Sequence, residues 1–250
     1  CNKRIKFGQF FNHIGEGWDK VASGHYARLQ CLGSDVLLLR GTDPVKDQTY
    51  FLSHLSQSQL RRTLFPIGHL AKSQVRQLAT ALDLPNKERR DSQGICFLGK
   101  ISYPEFIAFH LGERPGDIVE IESGTILGRH RGYWFYTIGQ RHGLGLSGGP
   151  WFVVEKRIED NTVLVTRHRA DERNLRSIFE VTNLNWIRDV PDNGALQVRI
   201  RHTPDLADCH VEASSSRLRV RLQTPDPGVA PGQQAVFYDE AVCLGGGTII

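Results

Sequence analysis

The chain has 250 residues, 40% of them hydrophobic and 23% charged, with a net charge of +4 and a pI near 8.9. That is enough apolar side chain for a real core, and no run of about 18 apolar residues is present, so the sequence predicts no membrane-spanning helix. Five cysteines, Cys1, Cys31, Cys96, Cys209 and Cys243, show no CxxC spacing; an odd, sparse set argues against a disulfide-stapled scaffold and a local zinc knuckle.

The mildly basic balance permits acidic or nucleic-acid partners without requiring them. Cys1-Asn2-Lys3-Arg4 leads into no apolar stretch, so no secretory signal is predicted. The sequence opens on Cys1 and contains no Met, where about five would be usual at this length. The expectation is a chain entered partway through a longer gene product.

Phe7, Phe10, Phe11 and Ile14 fall on one helical face. Lys20 to Gly24 reads as a short buried strand, and Val36 to Leu39 as another, closed by Gly41 and Pro44. Leu70 to Leu84 predicts a helix with Val75, Leu78 and Leu82 on a common face, stopped by Pro85. Two strands with helices point to an α/β domain with a parallel-type sheet that is incomplete. From about residue 100 the character changes. Tyr103 to Leu111 predicts a short helix, glycines then punctuate short strands, and Trp151–Lys156 with Thr162–Thr166 predicts a hairpin turning at Glu159-Asp160-Asn161. Residues 175–250 read as all strand: Leu196–Arg201, Val211–Ala213, Arg217–Leu222 and Ala235–Tyr238, with Pro/Gly turns between, predict a small β-barrel.

Cys96 lies in Asp91-Ser92-Gln93-Gly94-Ile95-Cys96-Phe97-Leu98-Gly99, just after Arg89 and Arg90. The glycines predict a tight loop and the arginines favour a thiolate; a buried, inert cysteine is the alternative. Cys1 precedes a cationic helical segment whose free backbone N–H groups also favour a thiolate. Cys31, Cys209 and Cys243 read as core fillers. Gly24 ends a strand where open α/β sheets bind ligands, and His25 and Arg28 beside it suit phosphates; a plain strand-to-loop transition is the other reading. Lys46, Asp47 and Gln48 offer a cation, an acceptor and an amide suited to phosphate, ribose and base edge, or they form a solvated turn. Gly139-Gln140-Arg141-His142-Gly143 has neither a GxGxxG nor a Walker pattern. Arg199 with Arg201, and Arg217 with Arg219 and Arg221, each share a strand face by period two. They make either positive stripes for a phosphate backbone or a solvated side neutralised by Asp205, Asp208 and Glu212.

These segments resemble a family. Cys-Asn-Lys-Arg-Ile-Lys-Phe, Gly-His-Tyr-Ala-Arg, Lys-Asp-Gln-Thr-Tyr-Phe, Asp-Ser-Gln-Gly-Ile-Cys-Phe-Leu-Gly, Tyr-Thr-Ile-Gly-Gln-Arg, Pro-Trp-Phe-Val-Val and the terminal Pro-Gly-Gln…Cys-Leu-Gly-Gly-Gly occur in the order seen in tRNA-specific 2-thiouridylases of the MnmA/TRMU type. The resemblance spans essentially the whole chain. It implies an α/β PP-loop ATP pyrophosphatase domain (adenine nucleotide alpha hydrolase-like), here incomplete, over 1–99. A small central, mainly β domain over 100–170 and a tRNA-contacting C-terminal β-barrel over 171–250 follow. The implied reaction adenylates O2 of the wobble uridine U34 of tRNA with ATP and Mg²⁺. A cysteine persulfide then replaces that oxygen, giving 2-thiouridine, AMP and pyrophosphate.

By the same resemblance Cys96 bears the persulfide, Cys1 is the other active-site cysteine, and Asp91 is a nearby acid with its role open. Gly24 matches a glycine near the ATP. His25, Lys46, Asp47, Gln48, Arg201, His202 and Gln233 match tRNA-contacting places, although several relatives carry tyrosine where this chain has His202. The implied partners are tRNA and a persulfide-donor protein, for a monomer in a bacterial cytoplasm or an organelle matrix, with no membrane. The family's Ser-Gly-Gly-Val-Asp-Ser phosphate loop and Asn-Pro-Asp motif are absent from this sequence, so neither ATP nor Mg²⁺ is held by a visible motif. Two other readings stand beside the enzyme: a non-catalytic tRNA-binding remnant of the family, and a redox protein using Cys1 and Cys96.

Overall fold

A computed structural model describes residues 1–14, 17–88, 102–168, 175–189, 191, 194–214 and 216–250. The segment with Arg89, Arg90, Asp91 and Cys96, expected to form a tight loop, lies outside the described residues.

The chain opens with a π-helical segment, Asn2–Gln9, that runs into α1, Phe10–Ile14. The wide turn is visible where Lys6 N donates to Cys1 O at 3.3 Å, five residues back. This widening shifts the helical phase from the one the sequence pattern assumes. Phe7 and Phe11 are buried and Ile14 half-buried against the core, whereas Phe10 is 48% exposed. Strand β1, Val21–Ala22, pairs in parallel with β4, Thr63–Leu64, as expected for an α/β start. Between them lies a departure. β2, Ala27–Leu32, and β3, Asp35–Arg40, form an antiparallel hairpin rather than strands of a parallel sheet. Helix α2, Gln57–Arg61, starts at a capping box: Ser56 Oγ accepts from Gln59 N at 3.2 Å, and Gln59 Oε1 accepts from Ser56 N at 3.0 Å. Helix α3, Lys72–Ala81, lies within the predicted span, but no side chain of it is buried among the described residues, and Leu78 and Leu82 are exposed.

A second compact unit, built mainly from residues of the central region, holds α4, Tyr103–Leu111, and four strands: β5, Gly116–Glu120; β6, Ile126–His130; β7, Phe152–Arg157; and β8, Thr162–Thr166. Their order is β6-β5-β8-β7, with β5 and β8 parallel and the predicted β7–β8 hairpin antiparallel. Ile118, Val153, Val163 and Val165 form its core. The glycine-rich stretch after Thr137 is tied to this sheet: Gly139 N donates to Val153 O at 2.7 Å and Val153 N to Gln140 O at 3.0 Å. Those glycines frame turns held against the sheet, with Arg141 and His142 left exposed.

The remaining strands are β9, Arg176–Trp186; β10, Gly194–Arg199; β11, Ala207–Ala213; β12, Leu218–Asp226; β13, Gln234–Asp239; and β14, Val242–Ile249. The order β13-β10-β11-β12-β9-β14, closed by a β13–β14 pairing, is a six-stranded barrel. Strand β14 meets β13 on one side and both β9 and β3 on the other, and Gly245, Gly246 and Gly247 make that crowding possible. A Cβ at these positions would stand 2.0, 2.4 and 2.5 Å from the carbonyl oxygens of Asn185, Ala235 and Thr182. Through the pairing of Leu38 and Leu39 with Cys243 and Val242, the β2–β3 hairpin extends the barrel sheet. Phe7, Phe11, Leu38, Leu52, Leu55, Val236, Tyr238 and Cys243 share one core. The first ninety residues and the barrel strands therefore belong to one compact unit.

Candidate tRNA and thiol site

The segment from Gly41 to Phe51 leaves β3 and lies against the barrel, and its conformation is fixed at Asp47. Asp47 is 2% exposed. Its Oδ2 accepts from Arg199 Nη1 at 2.8 Å and from Arg40 Nε at 3.3 Å. Its Oδ1 accepts from Thr49 Oγ1 at 2.8 Å, Thr49 N at 3.1 Å and Gly41 N at 3.3 Å. Arg199 is likewise buried, with Nη2 donating to Pro204 O at 3.2 Å and its guanidinium 5.2 Å from the Tyr238 ring centre. The expected Arg199–Arg201 face is therefore corrected. Strand β10 ends at Arg199, the period-two pattern stops there, and only Arg201 is exposed. The second arginine set is as the alternation implies. Arg217, Arg219 and Arg221 are exposed around buried Leu218, Val220 and Leu222. Glu180 pairs with Arg217 at 2.7 Å and Glu212 stands opposite Arg219, so part of that stripe is neutralised.

The residues matched to tRNA contacts fall into two groups. Exposed ones are Arg201 and His202, with Lys46 and Gln233 half-buried. Inward ones are His25, Asp47 and Gln48. Gln48 is a tie: its Oε1 accepts from Tyr26 N at 3.0 Å and its N–H donates to Tyr26 O at 2.9 Å. His25 is 7% exposed, packs against Phe7 and Phe65, and has Nδ1 2.8 Å from Ser23 Oγ. Burial, helped by the nearby Lys6 charge, pushes the imidazole pKa down to about 4. A histidine neutral in the fold but free to protonate when unfolded makes the unfolded chain the better proton binder below pH 6.5. Stability is then complete above pH 6.5, falls as pH drops towards 4, and loses up to about 3 kcal/mol. Urea midpoints measured across this range will show the slope in the wild type and a flatter one in His25→Gln; equal slopes would contradict the assignment.

Sequence reasoning missed several members. Asn2 Nδ2 donates to Phe51 O at 2.8 Å, and Gln59 Nε2 donates to Lys3 O at 3.0 Å and Phe7 O at 2.6 Å. The first bond ties the segment that carries Cys1 to Phe51, and the other two tie it to α2. Gln234, next to Gln233, accepts at Oε1 from His54 Nε2 at 2.7 Å and at its carbonyl from Tyr50 OH at 3.2 Å. Asp43 shapes the start of the loop. It accepts from Lys72 N at 2.9 Å, Val45 N at 2.9 Å and Lys46 N at 3.1 Å, and these backbone bonds, Lys72's first, hold its carboxyl below the usual range.

The four described cysteines are free thiols. Cys209 and Cys243 are core fillers as expected, with burial pushing both thiols up to about 12, so neither is a nucleophile near neutral pH. Cys31 is exposed on β2, which corrects its reading as a filler. Cys1 is exposed at the head of the π-helical segment, where its carbonyl accepts from Ile5 N at 2.9 Å. At Gly24, just beyond β1, a Cβ would meet only Ile67 Cδ1 at 4.0 Å. Among the described residues no group of three His, Cys, Asp or Glu converges as a metal cluster would. No described helix is long and apolar enough to cross a membrane.

Comparison with known proteins fills out this geometry. Residues 1–100 match the family described as tRNA methyl transferase HUP domain, residues 104–167 the tRNA methyl transferase PRC-barrel domain, and residues 176–249 the aminomethyltransferase beta-barrel domain. The tRNA-specific 2-thiouridylase MnmA of Parabacteroides distasonis is 46% identical over 257 residues, covering 100% of this chain and 72% of that protein. The proteins of the same name from Porphyromonas gingivalis and Bacteroides thetaiotaomicron (the latter MnmA 1) are 44% identical with the same coverage. The chain belongs to the tRNA-specific 2-thiouridylase MnmA family.

Proposed function

We infer that this protein carries out 2-thiolation of the wobble uridine of tRNA, with ATP as the activating co-substrate and sulfur delivered through cysteine. The observation that carries the reading is identity of 44–46% across the whole chain to proteins named for that activity. The exposed thiol of Cys1, anchored beside a loop framed by Lys46, Arg201 and His202, supports it.

Sulfur transfer follows from two thiols. The terminal sulfur of a Cys96 persulfide attacks C2 of the activated uridine; a C–S bond forms and the activated oxygen leaves. The Cys1 thiolate attacks Sγ of Cys96, the S–S bond breaks, and its electron pair stays with the sulfur on C2 as the thiocarbonyl. Sulfur is reduced to the thiocarbonyl level, the two cysteines are oxidised to a disulfide, and an external thiol resets them. Lys46 and Arg201 hold backbone phosphates. Asp47 acts from inside, fixing Arg40, Thr49 and the carbonyl on which His202 rests. The wobble base is unpaired in its loop, so extruding it is cheap. A persulfide-carrying protein supplies sulfur, the protein works as a monomer, and its bacterial relatives support a bacterial cytoplasm.

The protein, incubated with tRNA, ATP, Mg²⁺ and a persulfide donor, will place sulfur at C2 of the wobble uridine, read by mass spectrometry of the digested tRNA. Tight tRNA binding without sulfur incorporation would favour a binding remnant and overturn this reading.

A further inference from the structure

We propose that Phe51, backed by His202, is a stacking platform for an unpaired base of the anticodon loop, set beside Cys1; the proposal rests on the thiouridylase reading. Phe51 closes the short 3₁₀ turn Thr49–Phe51 and is 47% exposed. A single exposed aromatic is ordinary, but this ring is held by two neighbouring rings and its residue by a backbone hydrogen bond. The His202 ring lies 4.5 Å away at 37°, and the Tyr50 ring 5.4 Å away at 87°, edge to face. Tyr50 is fixed by its hydroxyl on Gln234 O. His202 is fixed by Nε2 donating to Asp47 O at 3.2 Å, so its ring plane follows the buried Asp47–Arg199 pair. The Phe51 carbonyl is held by Asn2. The outer face of a π-surface is thus presented with its conformational entropy already lost, which favours binding of a flat partner.

Charge and position select the occupant. Lys46 and Arg201 stand in the same loops as the two rings, the combination of cations and aromatic surface that recognises single-stranded nucleic acid. Asn2, which holds Phe51, is the residue after Cys1, and consecutive Cα atoms lie about 3.8 Å apart. The platform is thereby tied to the segment that carries Cys1. Stacking also tolerates any base, which suits a residue that positions the loop while other groups recognise the uridine.

The test compares Phe51→Leu, which keeps apolar bulk but no π-face, with Phe51→Trp. Phe51→Leu is expected to weaken tRNA binding and kcat/KM by roughly tenfold, and Phe51→Trp to restore both, with thermal unfolding unchanged. With 2-aminopurine placed singly at each anticodon-loop position, fluorescence at one position will be quenched on binding the wild type and not Phe51→Leu. Wild-type protein that thiolates tRNA while Phe51→Leu matches it in affinity, with no position quenched, overturns the platform and leaves the thiouridylase reading standing. Wild-type protein that fails to thiolate tRNA overturns that reading and the platform with it.

Discussion

Replacing Cys96 by alanine will lower the single-turnover rate of tRNA thiolation by roughly 10³-fold or more while leaving tRNA affinity within a few-fold. The size follows from losing a covalent route: without the persulfide no sulfur nucleophile is held against C2, and binding contacts alone do not replace it. Cys1→Ala will fail differently. The persulfide still attacks, but nothing breaks the S–S bond behind it, so tRNA remains joined to protein through Cys96 and is released by added thiol. Denaturing gels with and without reductant distinguish the two. A Cys1→Ala protein that releases thiolated tRNA at the wild-type rate in the absence of external thiol would remove Cys1 from the mechanism. Cys209 and Cys243 cannot substitute, since both are buried with raised thiol pKa values.

Asp47→Ala will destabilise the protein by about 3–5 kcal/mol, the range for stripping one partner from a buried ion pair. Arg199 is left as a buried cation whose Nε already lacks a hydrogen-bond partner, and Thr49 N and Oγ1 lose the acceptor they share. Arg199→Met will cost less, because Arg40 still pairs with Asp47. The double variant Asp47→Ala with Arg199→Met will be less destabilised than the two single changes added together, as coupled partners require. Chemical denaturation of the four proteins measures this, and strict additivity would contradict a coupled pair. Because His202 rests on the Asp47 carbonyl, Asp47→Ala will also weaken tRNA binding, an effect that Phe51→Trp will not rescue.

The parts of this architecture that depend on local pattern were legible in the chain. Alternation around Arg217–Leu222 gave a strand with the right face exposed, and Asn161 marked a turn. Pairing partners were less legible. Val36–Leu39 reads equally well as a parallel core strand or as the inner strand of a hairpin, and only its contact with Val242 and Cys243 decides. Strand β14 was hidden because three successive glycines carry no side-chain period, although crowding between β9 and β13 is what demands them. The site divided in the same way. Residue types identified Lys46, Asp47 and Gln48 as a unit, but the inward turn of Asp47 depends on Arg199, 152 residues away. Phe51 and Asn2 were legible only as members of their motifs, since their significance lies in partners distant along the chain.

The most direct measurement follows labelled sulfur. Wild-type protein carrying isotopically labelled persulfide sulfur on Cys96, mixed once with tRNA, ATP and Mg²⁺, will pass the label to C2 of the wobble uridine. One Cys1–Cys96 disulfide will form per sulfur transferred. Label that stays on the protein while the uridine is unchanged, or label that reaches tRNA when a Cys96→Ala protein is given the same labelled persulfide donor, would contradict the account.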